Sequence, residues 1–241
     1  MQEELFFAYP KYCNQTVNWL PMDTKKLFDY NKENNFSLLK QNNWIDRTIE
    51  YTFNSKGFRC NEFSNYDSII FLGCSYTIGI GLPIANTFSY IVADKISLQN
   101  FNLGLAGGSN SSSFRLGYYW IPKIKPKIVV QLSTFNERFE IINGITSTRM
   151  SLLKSKNKYY NFYRDWAGNE YNGKLDEIKN TEALHKICID NGAKFLSFSV
   201  LDNLATSYVE GDRARDLAHF GCITHQNFAN HVLNKIDSVT N

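Results

Sequence analysis

FLGCSYTIGIGLP, residues 71–83, joins the end of an apolar run to a serine and then to a scatter of glycines. The run itself is SIIFLG, 68–73, short and continuous as a parallel strand covered on both faces must be. KIVVQLS (127–133) and AKFLSFSV (193–200) repeat it, and NFNLGL (100–105) is a weaker fourth strand. Helical stretches lie between them and after them: TFSYIVADKI (87–96), NSSSFRLGYYWIPKI (110–124), NTEALHKICIDNG (180–192) and THQNFANHVLNKI (224–236). Gly192 is placed to cap its helix, and Phe228, Val232 and Ile236 recur at helical spacing. Strands alternating with helices predict βαβ units with right-handed crossovers and a mainly parallel sheet covered on both faces. In such sheets function collects at the carboxyl ends of the strands.

The rest of the chain sets limits. Its 241 residues suffice for one large α/β domain with an extension, and 43% apolar with 20% charged residues is a globular composition. A net charge of +3 without a basic block gives no case for nucleic acid. Five well-separated cysteines with no CxxC argue for a reducing compartment. The start, MQEELFFAYPKYCNQ, has acidic residues where a signal peptide needs basic ones, so a cytoplasmic protein is expected. No apolar run is long enough to span a membrane.

Residues 1–47 mix aromatics with Asn and Lys at no clean period and predict an irregular extension with a short helix near Thr24 to Tyr30. RTIEYTFN (47–54) alternates as a strand does. The expected division is thus an N-terminal extension over 1–65 and an α/β domain over 66–241.

Each strand end carries a chemically suggestive group. Ser75, on a tight strand-to-helix turn, either exposes a nucleophilic hydroxyl beside a free N–H or simply caps a helix. GCSYT lacks the second glycine of a GxSxG elbow, and no Lys follows the glycines as in a phosphate-binding loop. AGGSNSSS (106–113) has Gly107 and Gly108, which let backbone approach a ligand or merely make a turn. TFNERFE (134–140) offers the Asn136 amide as an oxyanion donor or as a turn residue. DRARDLAHFG (212–221) places Asp216 and His219 three apart, so that the carboxylate can orient the imidazole from the same turn. His185, His225 and His231 fall within predicted helices and receive no role.

Taken in order, GCS, NLGLAGG, STFNE and DRARDLAH resemble the four blocks of the SGNH hydrolases, the GDSL-like esterases and lipases, over roughly residues 66–241. The resemblance implies a flavodoxin-like three-layer α/β/α sandwich. It implies catalytic Ser75, Asp216 and His219, and an oxyanion hole from Ser75, Gly107 and Asn136. The family's GDS aspartate is Cys74 here, and its G-x-N-D reads S-T-F-N-E, which sets Asn136 one position further from the strand and makes Thr134 an alternative.

The activity implied is serine esterase chemistry without metal or cofactor, on a small-molecule or glycan ester. Tyr159, Tyr160, Tyr163 and Trp166, within SKNKYYNFYRDWAGNEY (155–171), are candidate sugar-facing rings or a small secondary core. They favour a short acyl group, such as O-acetyl on a glycan, over a lipid. The rival readings are a catalytically silent carbohydrate-binding or structural module, and a thiol enzyme using Cys74 or Cys222.

Overall fold

The structure, a computed structural model, describes residues 2–144, 146–150, 158–167 and 169–240. Its centre is a parallel sheet of four strands in the order β4-β3-β5-β8. These are β3 (Ser68–Leu72), β4 (Gln99–Asn102), β5 (Ile128–Ser133) and β8 (Lys194–Ser199). In chain order they run 2-1-3-4, the doubly wound order in which ligands bind where neighbouring crossovers leave in opposite directions, beyond the carboxyl ends of β3 and β5.

The strand sequences sort into two faces with a period of two. Ile70, Leu72, Phe101 and Val129 join one buried cluster, whereas Ile69, Phe71, Ile128, Val130, Leu132 and Phe198 join another. Helices α5 (Asn110–Ile124) and α7 (Glu170–Asp190) cover the first face through Leu116, Trp120, Ile121, Leu184 and Cys188. Helices α4 (Phe88–Lys95) and α8 (Cys222–Thr240) cover the second through Phe88, Val92, Phe228 and Val232. The result is a three-layer α/β/α sandwich. Ser109 opens α5 with a reciprocal capping box to Ser112, and Thr87 caps α4 by accepting from Tyr90 N–H.

Residues ahead of the sheet contribute to the first face as well. Phe6, Tyr9, Leu20, Leu39, Trp44, Tyr51, Phe53 and Phe58 are buried in the same cluster as Ile70 and Leu72. Helix α1 (Lys25–Asn34) begins at the Thr24 cap, as expected, and runs four residues past Tyr30; α2 (Phe36–Gln41) follows it. The strand expected over 47–54 reduces to a two-residue ladder, β2 (Tyr51–Thr52) on β1 (Thr16–Val17). After β5 comes a hairpin absent from the sequence reading, β6 (Phe139–Asn143) and β7 (Thr146–Met150), turning at Gly144 with φ +62°. It is held against α5 by a buried two-pronged ion pair, Arg115 to Glu140, with both contacts at 2.9 Å. The aromatic stretch folds into α6 (Tyr160–Ala167), and α7 starts ten residues before the predicted helix. Residues 155–157 and 168 of that stretch lie outside the described residues. Among the described residues no helix is long and apolar enough to cross a membrane.

Candidate active site

Strand β3 is followed by Gly73, where no side chain fits: a Cβ would stand 2.3 Å from Thr77 Oγ1 and 2.8 Å from Leu132 O. The chain then turns into α3 (Ser75–Ile78), which begins at Ser75 and closes on Gly79 in the left-handed conformation. Ser75 is only 3% exposed.

The Asp216–His219 turn meets this segment from the other side. Asp216 Oδ2 lies 2.5 Å from His219 Nδ1, while Oδ1 accepts the backbone N–H groups of Ala218 (3.1 Å) and His219 (3.0 Å). The carboxylate therefore fixes both the imidazole and the loop that carries it. Both residues are buried, and Leu217 between them is held at φ +58°, an unusual conformation for a residue with a side chain. The His219 ring packs edge-on against Tyr76, the neighbour of Ser75, with centroids 5.0 Å apart. Burial pushes the Tyr76 phenol up to about 12.

Among the described residues neither Ser75 Oγ nor His219 Nε2 has a hydrogen-bond partner. The N–H groups of Ser75 and Gly107 likewise donate to no described acceptor. Gly107 adopts φ +68° beyond β4, and a Cβ there would meet nothing, so its surroundings are open.

Asn136 is placed differently. Its carbonyl packs against Gly173 of α7, and it lines a cleft of about 450 Å³ with Glu137, Ala167, Asn169, Tyr171 and Lys174. Neither Ser75, Gly107 nor His219 lines that cleft, and Asn136 Oδ1 is buried without a described partner. β5 runs to Ser133, and Thr134 is then bound through its N–H to Asn110 Oδ1 at 2.9 Å, so the chain has turned away before Asn136. The neighbouring Thr134 hydroxyl accepts from Arg138 at 3.0 Å.

The aromatic candidates do not share one face. Tyr163 is fully buried, its hydroxyl donating to Glu137 O at 2.7 Å, and so cannot present its ring to a sugar. Trp166 packs 4.8 Å from Phe139 of the hairpin, and Tyr159, Tyr160 and Trp166 are each half-buried.

The sequence reading missed a polar buttress supplied by the extension. Arg215, immediately before Asp216, makes a two-pronged ion pair with Asp23 at 3.0 and 2.7 Å. Tyr51 donates to Asp23 at 2.5 Å and accepts from Gly81 N–H at 2.8 Å, while Arg215 N–H donates to Gly81 O at 3.0 Å. Arg59 gathers the carbonyls of Ile78, Gly79 and Leu82 at 2.8–3.0 Å and lies 4.3 Å over the Tyr51 ring. Burial lowers its pKa to about 10. The loops that follow Ser75 and precede Asp216 are thereby tied to one scaffold. His225 is a separate structural group: it accepts from Phe88 N–H at 3.1 Å, and burial lowers its pKa to about 3. Among the described residues no cluster of three or more His, Cys, Asp or Glu is placed to hold a metal ion.

No protein-family model and no curated protein matches the sequence. Among solved structures, the chain is similar to the psychrotrophic esterase EstA from Pseudoalteromonas sp., solved with monoethylphosphonate as inhibitor (14% identity, 73% of this chain and 100% of that one, TM-score 0.42). It is similar to the lipase/acylhydrolase from Enterococcus faecalis (14% identity, 71% and 96% coverage, TM-score 0.39). It is also similar to a member of the lipolytic protein G-D-S-L family from Veillonella parvula (13% identity, 69% and 96% coverage, TM-score 0.34). Of these three, the Veillonella parvula protein carries the G-D-S-L name.

Proposed function

We propose that this protein is a serine esterase that hydrolyses a carboxylic ester through Ser75, His219 and Asp216. The observation that carries the reading is the buried Asp216–His219 pair, joined at 2.5 Å and packed through Tyr76 against the turn that presents Ser75. A carboxylate on Nδ1 leaves Nε2 as the basic nitrogen and stabilises the imidazolium that forms when it takes a proton.

In the reaction, Ser75 Oγ attacks the ester carbonyl while its proton passes to His219 Nε2. The carbonyl oxygen takes up the negative charge between the N–H groups of Ser75 and Gly107. One such donor is typically worth about 3–4 kcal/mol in the transition state. Collapse expels the alcohol, which receives the proton from His219, and leaves acyl-Ser75. Water, deprotonated by His219, then attacks the acyl group, and loss of Ser75 as leaving group releases the carboxylic acid. Asn136 enters this scheme as a third donor only if the loop after β5 rearranges around substrate, because it lines a different cleft.

For the substrate we propose a short acyl group, such as O-acetyl, on a glycan or small molecule, with the half-exposed rings of Tyr159, Tyr160 and Trp166 as the sugar-contacting surface. The thiol alternative is disfavoured at Cys222, whose thiol is pushed up by burial and so is a poor nucleophile.

Labelling with a fluorophosphonate followed by mass spectrometry tests the assignment. The expected result is a single adduct on Ser75 that forms far more slowly in His219→Ala. An adduct elsewhere, or none on folded protein, would favour the silent binding module.

A further inference from the structure

Arg138 occupies a position that the four blocks leave unexplained. Its Nη1 donates to Thr134 Oγ1 at 3.0 Å and to Gly108 O at 3.4 Å. Thr134 follows β5 and Gly108 belongs to the loop after β4, and these strands flank β3, which delivers Ser75. A single nitrogen in contact with both loops therefore bridges the carboxyl end of β3, on the side of the nucleophile.

The guanidinium is positioned but not neutralised. It lies 4.7 Å over the Phe135 ring, and its two acceptors are uncharged. Among the described residues no carboxylate is within ion-pair distance of it, in contrast to the buried arginines Arg115 and Arg215, paired with Glu140 and Asp23. Its Nε and Nη2 donate to no described acceptor. Arg138 is half-buried, so its charge is partly desolvated and still reachable. A second guanidinium adjoins the same aromatic group: Arg213 lies 4.9 Å over Tyr208, which stacks on Phe220, which stacks on Tyr76. Arg213 also lacks a carboxylate partner among the described residues. Both cations bear electrostatically on the Tyr76 phenol, while Asp216 is already committed to His219.

We propose that Arg138 binds an anionic group of the substrate, so that the ester cleaved at Ser75 carries a carboxylate or phosphate a few bonds from the scissile carbonyl. The inference rests on the esterase reading for its chemistry but not for the anion site itself. A planar guanidinium with two open N–H groups matches the two oxygens of such a group, and charge-assisted pairs of this kind are about twice as strong as neutral ones. With Arg138 anchored on both loops, binding the anion would hold the ester carbonyl between Ser75 and Gly107.

The test compares kcat/KM for mono-4-nitrophenyl succinate, with its carboxylate on the acyl side, and for 4-acetoxybenzoate and 4-acetoxyphenyl phosphate, with the anion on the alcohol side, against neutral 4-nitrophenyl acetate and 4-acetoxybenzamide. The expected result is a preference of the wild type for at least one anionic ester over its neutral counterpart. The anionic-to-neutral ratio should fall about 10- to 100-fold in Arg138→Gln, while Arg138→Lys keeps part of it. A purely structural tie between the loops would lower both substrates together and leave the ratio unchanged, which would overturn the proposal. Calorimetric titration of monomethyl succinate, acetate and inorganic phosphate into folded Ser75→Ala, with and without Arg138→Gln, separates the two claims. Anion binding that disappears with Arg138 sustains the site even if the wild type hydrolyses nothing. Hydrolysis through Ser75 with no Arg138-dependent binding or preference sustains the esterase and removes the anion site.

Discussion

Asp23 and Arg215, 192 positions apart, form a buried two-pronged ion pair next to the residue that orients His219. Asp23 belongs to the extension and Arg215 to the loop that ends in the Asp–His turn, so the pair couples the first part of the chain to the proposed base. Replacing one partner leaves a buried charge uncompensated, which typically costs about 3–5 kcal/mol. Asp23→Ala is expected to destabilise by that amount in urea unfolding. The double variant Asp23→Ala/Arg215→Met should be less damaged than Asp23→Ala alone; equal or greater damage in the double variant would show that the unpaired charge is not what matters.

Tyr51 closes the same network, donating to Asp23 and accepting from Gly81 N–H. Tyr51→Phe keeps the ring over which Arg59 is stacked and removes only the hydroxyl. The expected loss is about 1–3 kcal/mol, the cost of leaving buried partners unsatisfied. An unchanged urea midpoint would mean that the Gly81 loop does not depend on this bond.

Gly173 sits in the first turn of α7, where alanine is normally the better helix former by about 1 kcal/mol. Here a Cβ would stand 2.1 Å from Asn136 O, a backbone atom that cannot swing away. Overpacking of this kind costs about 1–3 kcal/mol and should outweigh the helical gain. Gly173→Ala is therefore expected to lower the thermal midpoint; a rise would show that the Asn136 loop yields freely.

His225 gives stability a definite pH dependence. Its folded pKa is lowered to about 3 by burial, against about 6.5 when unfolded, so between these values the unfolded chain binds the extra proton. The contribution is fully present above about pH 6.5 and is lost as pH falls towards 3, at up to about 1.4 kcal/mol per unit. His225→Asn, which retains an acceptor for Phe88 N–H without a titrating ring, should flatten the slope of stability against pH over this range. An identical slope in the variant would assign the acid sensitivity to other groups.

The layered architecture was legible because β3 and β5 are buried along their whole length, and only a strand covered on both faces can afford SIIFL or IVVQL, whereas edge strand β8 is exposed at Lys194 and Ser197. α5 has the bounds expected for it, 110–124, and the structure shows Ser109 capping its start and Lys125 ending it in the left-handed conformation. The β6–β7 hairpin was missed because FEIIN and TSTRM alternate weakly and the residue of FEIIN that turns inward is Glu140, buried through its ion pair with Arg115 of α5. At the site, Asp216 and His219 lie on one turn, so their pairing follows from local spacing. The Asp23, Tyr51 and Arg59 buttress depends on contacts between remote segments, for which spacing carries no signal. The surroundings of Asn136 were not legible either, because they depend on Thr134 being tied to Asn110 after β5 and on the packing of Asn136 O against Gly173 of α7.

Turnover of 4-nitrophenyl acetate by wild type, Ser75→Ala and His219→Ala, each verified as folded, tests the central claim most directly. The account predicts measurable hydrolysis in the wild type and a fall of at least about a thousandfold in kcat for either variant, because members of a triad act as a unit. Hydrolysis that persists unchanged in Ser75→Ala would contradict it.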